Sequence, residues 1–373
     1  MVPRLDTGGA ERSTLEIAAA LAREGFAALV ASEGGRMVPE LEEADGEWIA
    51  LPVNARAPHR LLANALRLRG LILARNIRLI HARSRAPAWS SLWAARLANI
   101  AFVTTYHGSY TARSTLKRFY NSVMARGDAV IANSQWTARH IRSEYAFPPR
   151  KLVTIPRGID LSRFDPAGVA PERVDELRRQ WGANPFEVVI LLPGRLTRWK
   201  GQEILIGALA ILARQGAANG LRAVLAGDAQ GRSAYEKELR TAIAASGLGG
   251  QVTIAGHVSD MAAAYLAADI VVSASTQEEA FGRVAAEASA MGRAVIATDH
   301  GGARETLIRD VTGLLVAPGN ARAMADGLHK LLAAGAQERA AMGARGRAHI
   351  ARNFTVERMC ADTLALYREL LGD

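Results

Sequence analysis

Two cationic side chains lie in a glycine-bounded loop that follows an apolar run. The run covers residues 188–192, and the loop reads Gly-Arg-Leu-Thr-Arg-Trp-Lys-Gly from Gly194 to Gly201. The guanidinium of Arg195 can bind two phosphate oxygens at once, and the ammonium of Lys200 supplies a compact positive charge. Such a pair of cations suits a diphosphate leaving group, which gains negative charge as it departs. Gly201 replaces the Ser or Thr of a Walker loop, so magnesium would lose a ligand and a nucleoside triphosphatase is disfavoured. A solvated basic loop is the plainer interpretation of this segment taken alone.

Two glutamates form the most specific pattern in the chain. Glu279 and Glu287 bracket Phe281 and Gly282 in an E-x7-E arrangement that follows residues 270–273 and enters an alanine-rich helical stretch. Along a helix their carboxylates would stand about 12 Å apart, farther than the roughly 5–9.5 Å of a glycosidase pair. That spacing suits a ligand with hydroxyl groups at both ends and a diphosphate between them, near the helix N-terminus. The plainer alternative is that Glu279 is only an acidic residue at the start of the helix and that Glu287 is an exposed acidic residue farther along it.

Two weaker signals lie in the first half of the chain. Gly8 and Gly9 precede a helical pattern, where backbone N–H groups could approach a phosphate, but a tight turn explains them equally well. His107 ends the predicted strand 102–106 and could carry a proton or only line the site as a hydrogen-bonding wall. Taken alone, the wall is favoured.

The elements that must position these residues are short apolar runs alternating with longer amphipathic stretches, which is the pattern of parallel α/β units. The predicted strands are 26–31, 79–81, 102–106, 129–132 and 152–155, followed after a break at 163–171 by 188–192, 221–226, 251–254, 270–273 and 294–298. Residues 354–371 are predicted to form a final helix. Ligands of doubly wound sheets bind beyond the carboxyl ends of the strands, so the loops directly after strands should carry the site.

Composition limits the class of protein. The chain has 373 residues, of which 49% are apolar and 22% charged, and this predicts a folded protein of two domains. The single Cys360 excludes an intramolecular disulfide and a multi-thiolate metal site, and we expect it to be a buried filler. The sequence shows no long apolar window and no signal-peptide pattern, so we expect a cytoplasmic protein.

The positive charge is concentrated in the first half of the chain. The net charge is +10, and residues 1–165 carry 23 Lys and Arg against 14 Asp and Glu. Between residues 48 and 127 there are 13 basic residues and no acidic one. The basic and apolar residues that alternate here are Arg60, Leu61, Leu62, Leu66, Arg67, Leu68 and Arg69, then Lys117, Arg118, Phe119 and Tyr120. This mixture favours peripheral contact with an anionic membrane leaflet, unless the leucines are core and the arginines solvated.

Together these motifs resemble those of retaining glycosyltransferases of family 4, and they fall in order over nearly the whole chain. The matching segments are Gly8-Gly9, Tyr106-His107-Gly108, Pro156-Arg157-Gly158-Ile159-Asp160, Gly194-Arg195-Leu196 with Lys200-Gly201, Gly256-His257-Val258, and the E-x7-E pattern. The combination is far more specific than any single member.

The resemblance implies the α/β GT-B fold of two facing Rossmann-like domains with a cleft between them. Residues 1–165 would bind the acceptor and residues 184–352 the nucleotide sugar, while 353–373 would pack back on the first domain. Gly194, Arg195 and Lys200 would hold the diphosphate, and Glu287 would hold the ribose. Glu279 would bind the sugar with the backbone of Phe281 and Gly282, whereas His257 and Val258 would border the base. His107, Gly8 and Gly9 would complete the reaction centre.

The resemblance also implies a reaction. A sugar would move from a nucleoside-diphosphate sugar to a glycan or lipid-linked acceptor with retention of configuration, in lipopolysaccharide or other bacterial cell-surface glycan synthesis. The departing phosphate would help to deprotonate the acceptor. The sequence contains no Asp-x-Asp, so no metal or other cofactor is expected. A sugar-nucleotide epimerase of the same fold remains an alternative. A basic nucleic-acid-binding protein is disfavoured, because no recognition motif is present and aromatics are few.

One expectation concerns the N-terminus. In the family a complete apolar strand in the middle of the first sheet precedes the proline and the glycine pair, whereas here only Met1 and Val2 precede Pro3. We therefore expect the native protein to carry roughly five to ten further residues of strand type.

Overall fold

The computed structural model describes residues 1–6, 8–55, 57–108, 110, 112, 114–145, 147–231 and 233–372. The chain divides into two compact units. One consists of Met1–Gly158 with Val356–Asp373, and the other of Ile159–Thr355. Every strand pairing between named strands is parallel, as the alternation of strands and helices predicted.

The first unit contains two separate parallel sheets. Its strands are β1 (Leu29–Ser32), β2 (Glu47–Ala50), β3 (Leu79–Ala82), β4 (Ala101–Tyr106), β5 (Ala129–Ala132) and β6 (Leu152–Thr154). Its first helices are α1 (Gly9–Arg23), α2 (Val38–Glu43), α3 (Pro58–Ala74), α4 (Arg85–Ala98), α5 (Thr115–Asn121) and α6 (Gln135–Glu144), with a 3-10 turn at Ser122–Ala125. One sheet is the pair β1-β2, and the other has the order β3-β4-β5-β6.

Residues 1–3 connect these two sheets. The Met1 amine donates to the carbonyl of His81 at 2.9 Å, beside β3, and Val2 N donates to the carbonyl of Ala31 in β1 at 3.3 Å. Beyond them a cavity of about 300 Å³ continues along β1 and β3, lined largely by apolar side chains of both strands, α1 and α3. Burial, reinforced by the charge of Arg83, lowers the pKa of the Met1 amine to about 5. Within the described residues, only this short segment pairs with both β1 and β3.

The second unit is built on one parallel sheet. Its strands are β7 (Val188–Pro193), β8 (Leu221–Ala226), β9 (Val252–Gly256), β10 (Ile270–Ser273), β11 (Ala294–Thr298) and β12 (Leu314–Val316). Its helices are α7 (Pro171–Gln180), α8 (Gln202–Arg214), α9 (Ser233–Ala245), α10 (Met261–Ala267), α11 (Arg283–Ala290), α12 (Ala303–Thr306), α13 (Ala321–Ala333) and α14 (Gly335–Asn353), with 3-10 turns at Pro166–Gly168 and Arg198–Lys200. The strand order is β12-β11-β10-β7-β8-β9, which reverses between β10 and β7.

Strand β7 shows why these strands appear in the sequence as continuous apolar runs. Ile190 and Leu192 belong to one buried cluster, and Val189 and Leu191 to another. Successive side chains point to opposite faces, so both faces of the sheet are covered. Strands β2 and β12 were missed because β2 is mostly half-exposed and β12 is only three residues long.

The last helix, α15 (Val356–Leu371), belongs to the first unit. Its apolar face packs with Ile17 of α1 and Val103 of β4 in one buried cluster that also contains Cys360. Burial raises the pKa of the Cys360 thiol to about 12, as expected for a buried filler. None of the helices formed by the described residues is long and apolar enough to cross a membrane.

Candidate active site

The loops after β7 and β10 meet where the strand order reverses. Lys200 Nζ donates to Glu279 Oε1 at 2.8 Å, and the side chains are only 13% and 19% exposed. The hydroxyl of Ser275 donates to the same carboxylate oxygen. In doubly wound sheets this switch point, beyond the carboxyl ends of the strands, is where ligands bind. The structure thus brings two of the predicted site residues into direct contact.

Gly201 allows the basic loop to lie against β10. Its φ is +74°, and a Cβ at this position would lie 1.9 Å from the carbonyl oxygen of Ala274, so only glycine fits. Thr276 N donates to the carbonyl of Trp199 at 2.7 Å, and Lys200 Nζ lies 4.4 Å from the centroid of the Trp199 ring. These contacts hold Lys200 against the loop that follows β10 and contains Glu279.

Arg195 and Arg198 of this loop both have exposed side chains. Arg198, three positions later, pairs with Glu203 and Glu238. For the Arg195 guanidinium, by contrast, the structure gives no ion pair within the residues that it describes. Gly194, just before it, has a φ of +148° and turns the chain out of β7. Arg195 therefore carries an exposed positive charge that is available to bind an anion.

Helix α11 starts later than the E-x7-E spacing predicted. It begins at Arg283, with Gly282 in the left-handed region at φ +78° as its N-cap, so Glu279 lies in the preceding loop. The expectation that both glutamates lie along one helix is therefore wrong. Among the described residues no side chain caps the N-terminus of α11. The side chain of Phe281 is buried in the core against Phe354.

Glu287 is buried and accepts hydrogen bonds from two side chains of the second unit. It is 6% exposed. Tyr265 donates to Oε2 at 2.8 Å, and Arg283 donates from Nε to Oε1 at 3.0 Å. Burial, followed by the charge of Glu287, raises the pKa of the Tyr265 hydroxyl. Oε2 accepts one hydrogen bond and has a second lone pair, so the predicted role of Glu287 in binding the ribose stays a prediction.

The remaining predicted donor-site residues lie farther along the sheet. His257 is exposed and Val258 is half-buried, and both follow β9. Strand β9 is the edge strand, separated from β7 by β8. This places them at the same carboxyl edge as Lys200, two strands away.

The predicted residues of the first unit cluster at the start of α1. Gly8 is the N-cap of α1, and Gly9 is its first residue. The Nδ1 of His107 lies 3.0 Å from Nη2 of Arg157, and a Cβ at Gly9 would lie 1.8 Å from the other terminal nitrogen of that arginine. Burial, then the charges of Arg83 and Arg157, lowers the pKa of His107 well below its usual value.

Comparisons with known proteins decide the family. The family model for glycosyl transferases group 1 matches residues 173–349, and the model for glycosyltransferase family 4 matches residues 7–163. A glycosyltransferase from Rickettsia africae is 33% identical, with a TM-score of 0.90 over 99% of this chain and 97% of that one. The chain belongs to the group 1 glycosyltransferases of the GT-B fold. The predicted fold class and family resemblance are therefore confirmed.

Two further relatives bear on the ligand of this glycosyltransferase. HepE of Anabaena, solved in complex with UDP-glucose, is 26% identical, with a TM-score of 0.81 over 98% of this chain and 99% of that one. A D-inositol 3-phosphate glycosyltransferase from Segniliparus rotundus is 34% identical over 67% of this chain and 54% of that protein. The chain thus spans little more than half the length of the first curated relatives that it matches.

The glycosyltransferase has site residues that sequence reasoning missed. Ser275 holds Glu279, as described above, and His300 Nε2 donates to the carbonyl of Ser275 at 2.7 Å. Gly302 N donates to the carbonyl of Glu279 at 2.8 Å. Ser275 and His300 come soon after β10 and β11, so the rule of post-strand loops could have found them. Tyr265 lies inside α10 and offered no such signal.

Within the residues that the structure describes, no group of three or more His, Cys, Asp or Glu is arranged to hold a metal ion.

Proposed function

We propose that this glycosyltransferase transfers a hexosyl group from a nucleoside-diphosphate sugar to an acceptor, with retention of configuration. The observation that carries the proposal is the Lys200–Glu279 pair at the switch point of the second unit, next to the exposed Arg195. The complex of HepE with UDP-glucose supports a nucleotide sugar as the donor.

The chemistry follows from the charges. Breaking the bond between the anomeric carbon and the diphosphate oxygen adds negative charge to the leaving group, which Arg195 and Lys200 would stabilise. When a diphosphate engages Lys200, Glu279 loses its cation and becomes free to accept hydrogen bonds from sugar hydroxyls. The acceptor oxygen would bond to the same face of the anomeric carbon, and its proton would pass to the departing phosphate. Side chains supply the charge neutralisation in this scheme, so we propose transfer without a metal.

The acceptor would be a glycan or a lipid-linked molecule at an anionic membrane surface. The outer face of α3 exposes Leu62, Leu66 and Leu73, each at more than half of its full accessibility. Leu61 and Leu68 of the same stretch are core residues, so the leucines do divide into two faces. Leu116 and Phe119 on α5 are also exposed.

The charge around these apolar side chains has one sign. Between residues 48 and 127 there is no acidic residue, and exposed apolar groups among cations fit anionic lipid. Arg56 and Arg113, two of the basic residues of this stretch, lie outside the described residues. We propose peripheral binding at the cytoplasmic membrane, in cell-surface glycan synthesis.

A screen of the purified protein against nucleotide sugars tests the function. The acceptor arms are membrane lipid extracts, oligosaccharides and inositol 3-phosphate, the last prompted by the names of the curated relatives. We expect transfer from one donor, insensitive to EDTA, with the anomeric configuration of the donor retained in the product by NMR. Conversion of the nucleotide sugar into its epimer without transfer would instead identify an epimerase. Salt-sensitive retention of nucleic acid on a filter, without transfer, would favour the nucleic-acid alternative.

A further inference from the structure

Three basic side chains follow three strands of the first unit. Arg83 follows β3, His107 follows β4 and Arg157 follows β6. Arg83 is only 5% exposed, and its Nη2 donates to the Ser13 hydroxyl at 2.7 Å. Arg157 lies on the backbone of Gly9 at the start of α1. Arg83, His107 and Arg157 line one small cavity, and the other residues that line it are uncharged. The charged neighbours of the imidazole in this cavity are therefore the two arginines.

The contact with Arg157 decides which nitrogen of His107 carries the proton. A guanidinium has donors and no acceptor, so at 3.0 Å Nδ1 has to accept the hydrogen bond and is unprotonated. In a neutral imidazole the proton is then on Nε2, and that nitrogen is a donor.

The groups that face His107 keep the ring neutral. Burial lowers its pKa most, and the charges of Arg83 and Arg157 lower it further, with a smaller effect of His81. The pKa of His81 is itself lowered by burial, so this second ring is neutral. The backbone N–H of His107 interacts with the hydroxyl of Tyr110.

The Nε2 donor of His107 has no partner among the described residues of the first unit. Nε2 is buried and makes no hydrogen bond among the residues that the structure describes. Buried donors are almost always paired, so an unpaired one calls for an explanation, such as an acceptor on a ligand. The two roles left open for His107 now have different requirements. A proton carrier needs an unprotonated nitrogen towards the substrate, but Arg157 occupies the unprotonated nitrogen of this ring.

We propose that Arg157 is a positioning residue that holds His107 as a fixed Nε2–H donor to an oxygen atom of the substrate. His107 then takes no proton from the acceptor, and that proton passes to the departing phosphate. The inference rests on the proposed transfer reaction for the identity of the substrate. The tautomer of His107 can be measured without it.

The first test is NMR of protein labelled with 15N-histidine. We expect the His107 ring, assigned by its absence in His107→Gln, to show the neutral Nε2–H tautomer from pH 5 to 8 with no titration. In Arg157→Met no donor faces Nδ1, so the ring should populate both neutral tautomers, while burial and Arg83 still hold its pKa below the ordinary value. Arg157→Lys, which keeps a charged donor, should restore the single tautomer. Arg150→Met is the matched control, because Arg150 is an exposed arginine whose partner is Asp128. A wild-type ring that carries its proton on Nδ1, or that titrates in this range, would overturn the proposal.

The second test uses two amides in place of the imidazole. Glutamine puts its amide nitrogen close to the position of Nε2, whereas asparagine puts it close to that of Nδ1. We expect His107→Gln to keep kcat/KM within about tenfold of wild type and His107→Asn to lose about 10²-fold, the usual cost of a lost donor to developing charge. Equal loss in both variants, with wild-type kcat/KM rising through the pKa of a histidine, would establish a general base instead. If no donor supports transfer by the wild type, the proposed function fails while the NMR test still decides the tautomer.

Discussion

Lys200 and Glu279 lie 79 positions apart in the chain, yet Nζ and Oε1 are 2.8 Å apart. The pair lies where β7 and β10 adjoin and the strand order reverses. Both side chains are largely withdrawn from water, so removal of either one leaves a charge that is poorly compensated. A diphosphate that displaces Glu279 from Lys200 would give the ammonium a new anionic partner, and a sugar hydroxyl would then donate a hydrogen bond to the released carboxylate.

Removing either cation of the loop should impair transfer. We expect Lys200→Ala and Arg195→Ala each to lower kcat/KM by roughly 10²-fold or more, because each withdraws a charge from the leaving diphosphate. Arg198→Ala is the control, since Arg198 lies in the same loop but pairs with Glu203 and Glu238. Melting temperatures should show that the variants are folded. Near-wild-type turnover in either of the first two variants would refute the assignment of the loop.

The two glutamates should differ in what they affect. Glu279→Gln should lower kcat without weakening the binding of the free nucleoside diphosphate, because this carboxylate is assigned to the sugar and its loss leaves Lys200 available to the diphosphate. Glu287→Gln should weaken nucleotide binding, and it should also lower the melting temperature, since Tyr265 and Arg283 both donate to the buried carboxylate. Calorimetric dissociation constants and melting curves measure the two effects. Equal weakening of nucleotide binding in both variants would contradict the division of roles.

Gly201 should be intolerant of a side chain for a steric reason. Gly201→Ala would place a Cβ 1.9 Å from the carbonyl oxygen of Ala274, whereas Gly216, at a similar φ of +72°, has nothing within 4 Å. Both substitutions incur a backbone strain of order 1–3 kcal/mol, so only the difference between them reports the clash. We expect Gly201→Ala to lower both the melting temperature and kcat/KM well beyond Gly216→Ala. Matching values for the two variants would show that the loop can shift without cost.

The exposed face of α3 should bind anionic membranes. We expect cosedimentation with vesicles that contain phosphatidylglycerol, none with pure phosphatidylcholine, and weakening as salt rises. Replacing Leu62 and Leu66 by serine should abolish binding. Phe186→Ser, which removes a 95% exposed aromatic side chain from the second unit, should leave binding unchanged. Indifference to lipid charge would remove the membrane proposal without affecting the transfer reaction.

The sequence predicted the central strands of both units well, but it missed β2 and β12, which lie at the edges of their sheets. A strand buried on both faces, such as β7, appears as an uninterrupted apolar run and is recognised without any partner in view. Strand β2 is half-exposed and was missed. The pairing of residues 1–3 with both β1 and β3 was visible only in the structure.

By itself the sequence determined the fold class and the post-strand loops in which the candidate site residues lie, because apolar periodicity and post-strand position are local properties. Only the tertiary structure decided the partner of each charged group. Glu279 meets Lys200 because strand order brings two loops together, and it lies outside α11 because Gly282 starts that helix with a left-handed turn. His107 contacts Arg157, 50 positions away, for the same reason. Strand order depends on how the whole sheet packs, and that information is not present in the spacing of any one motif.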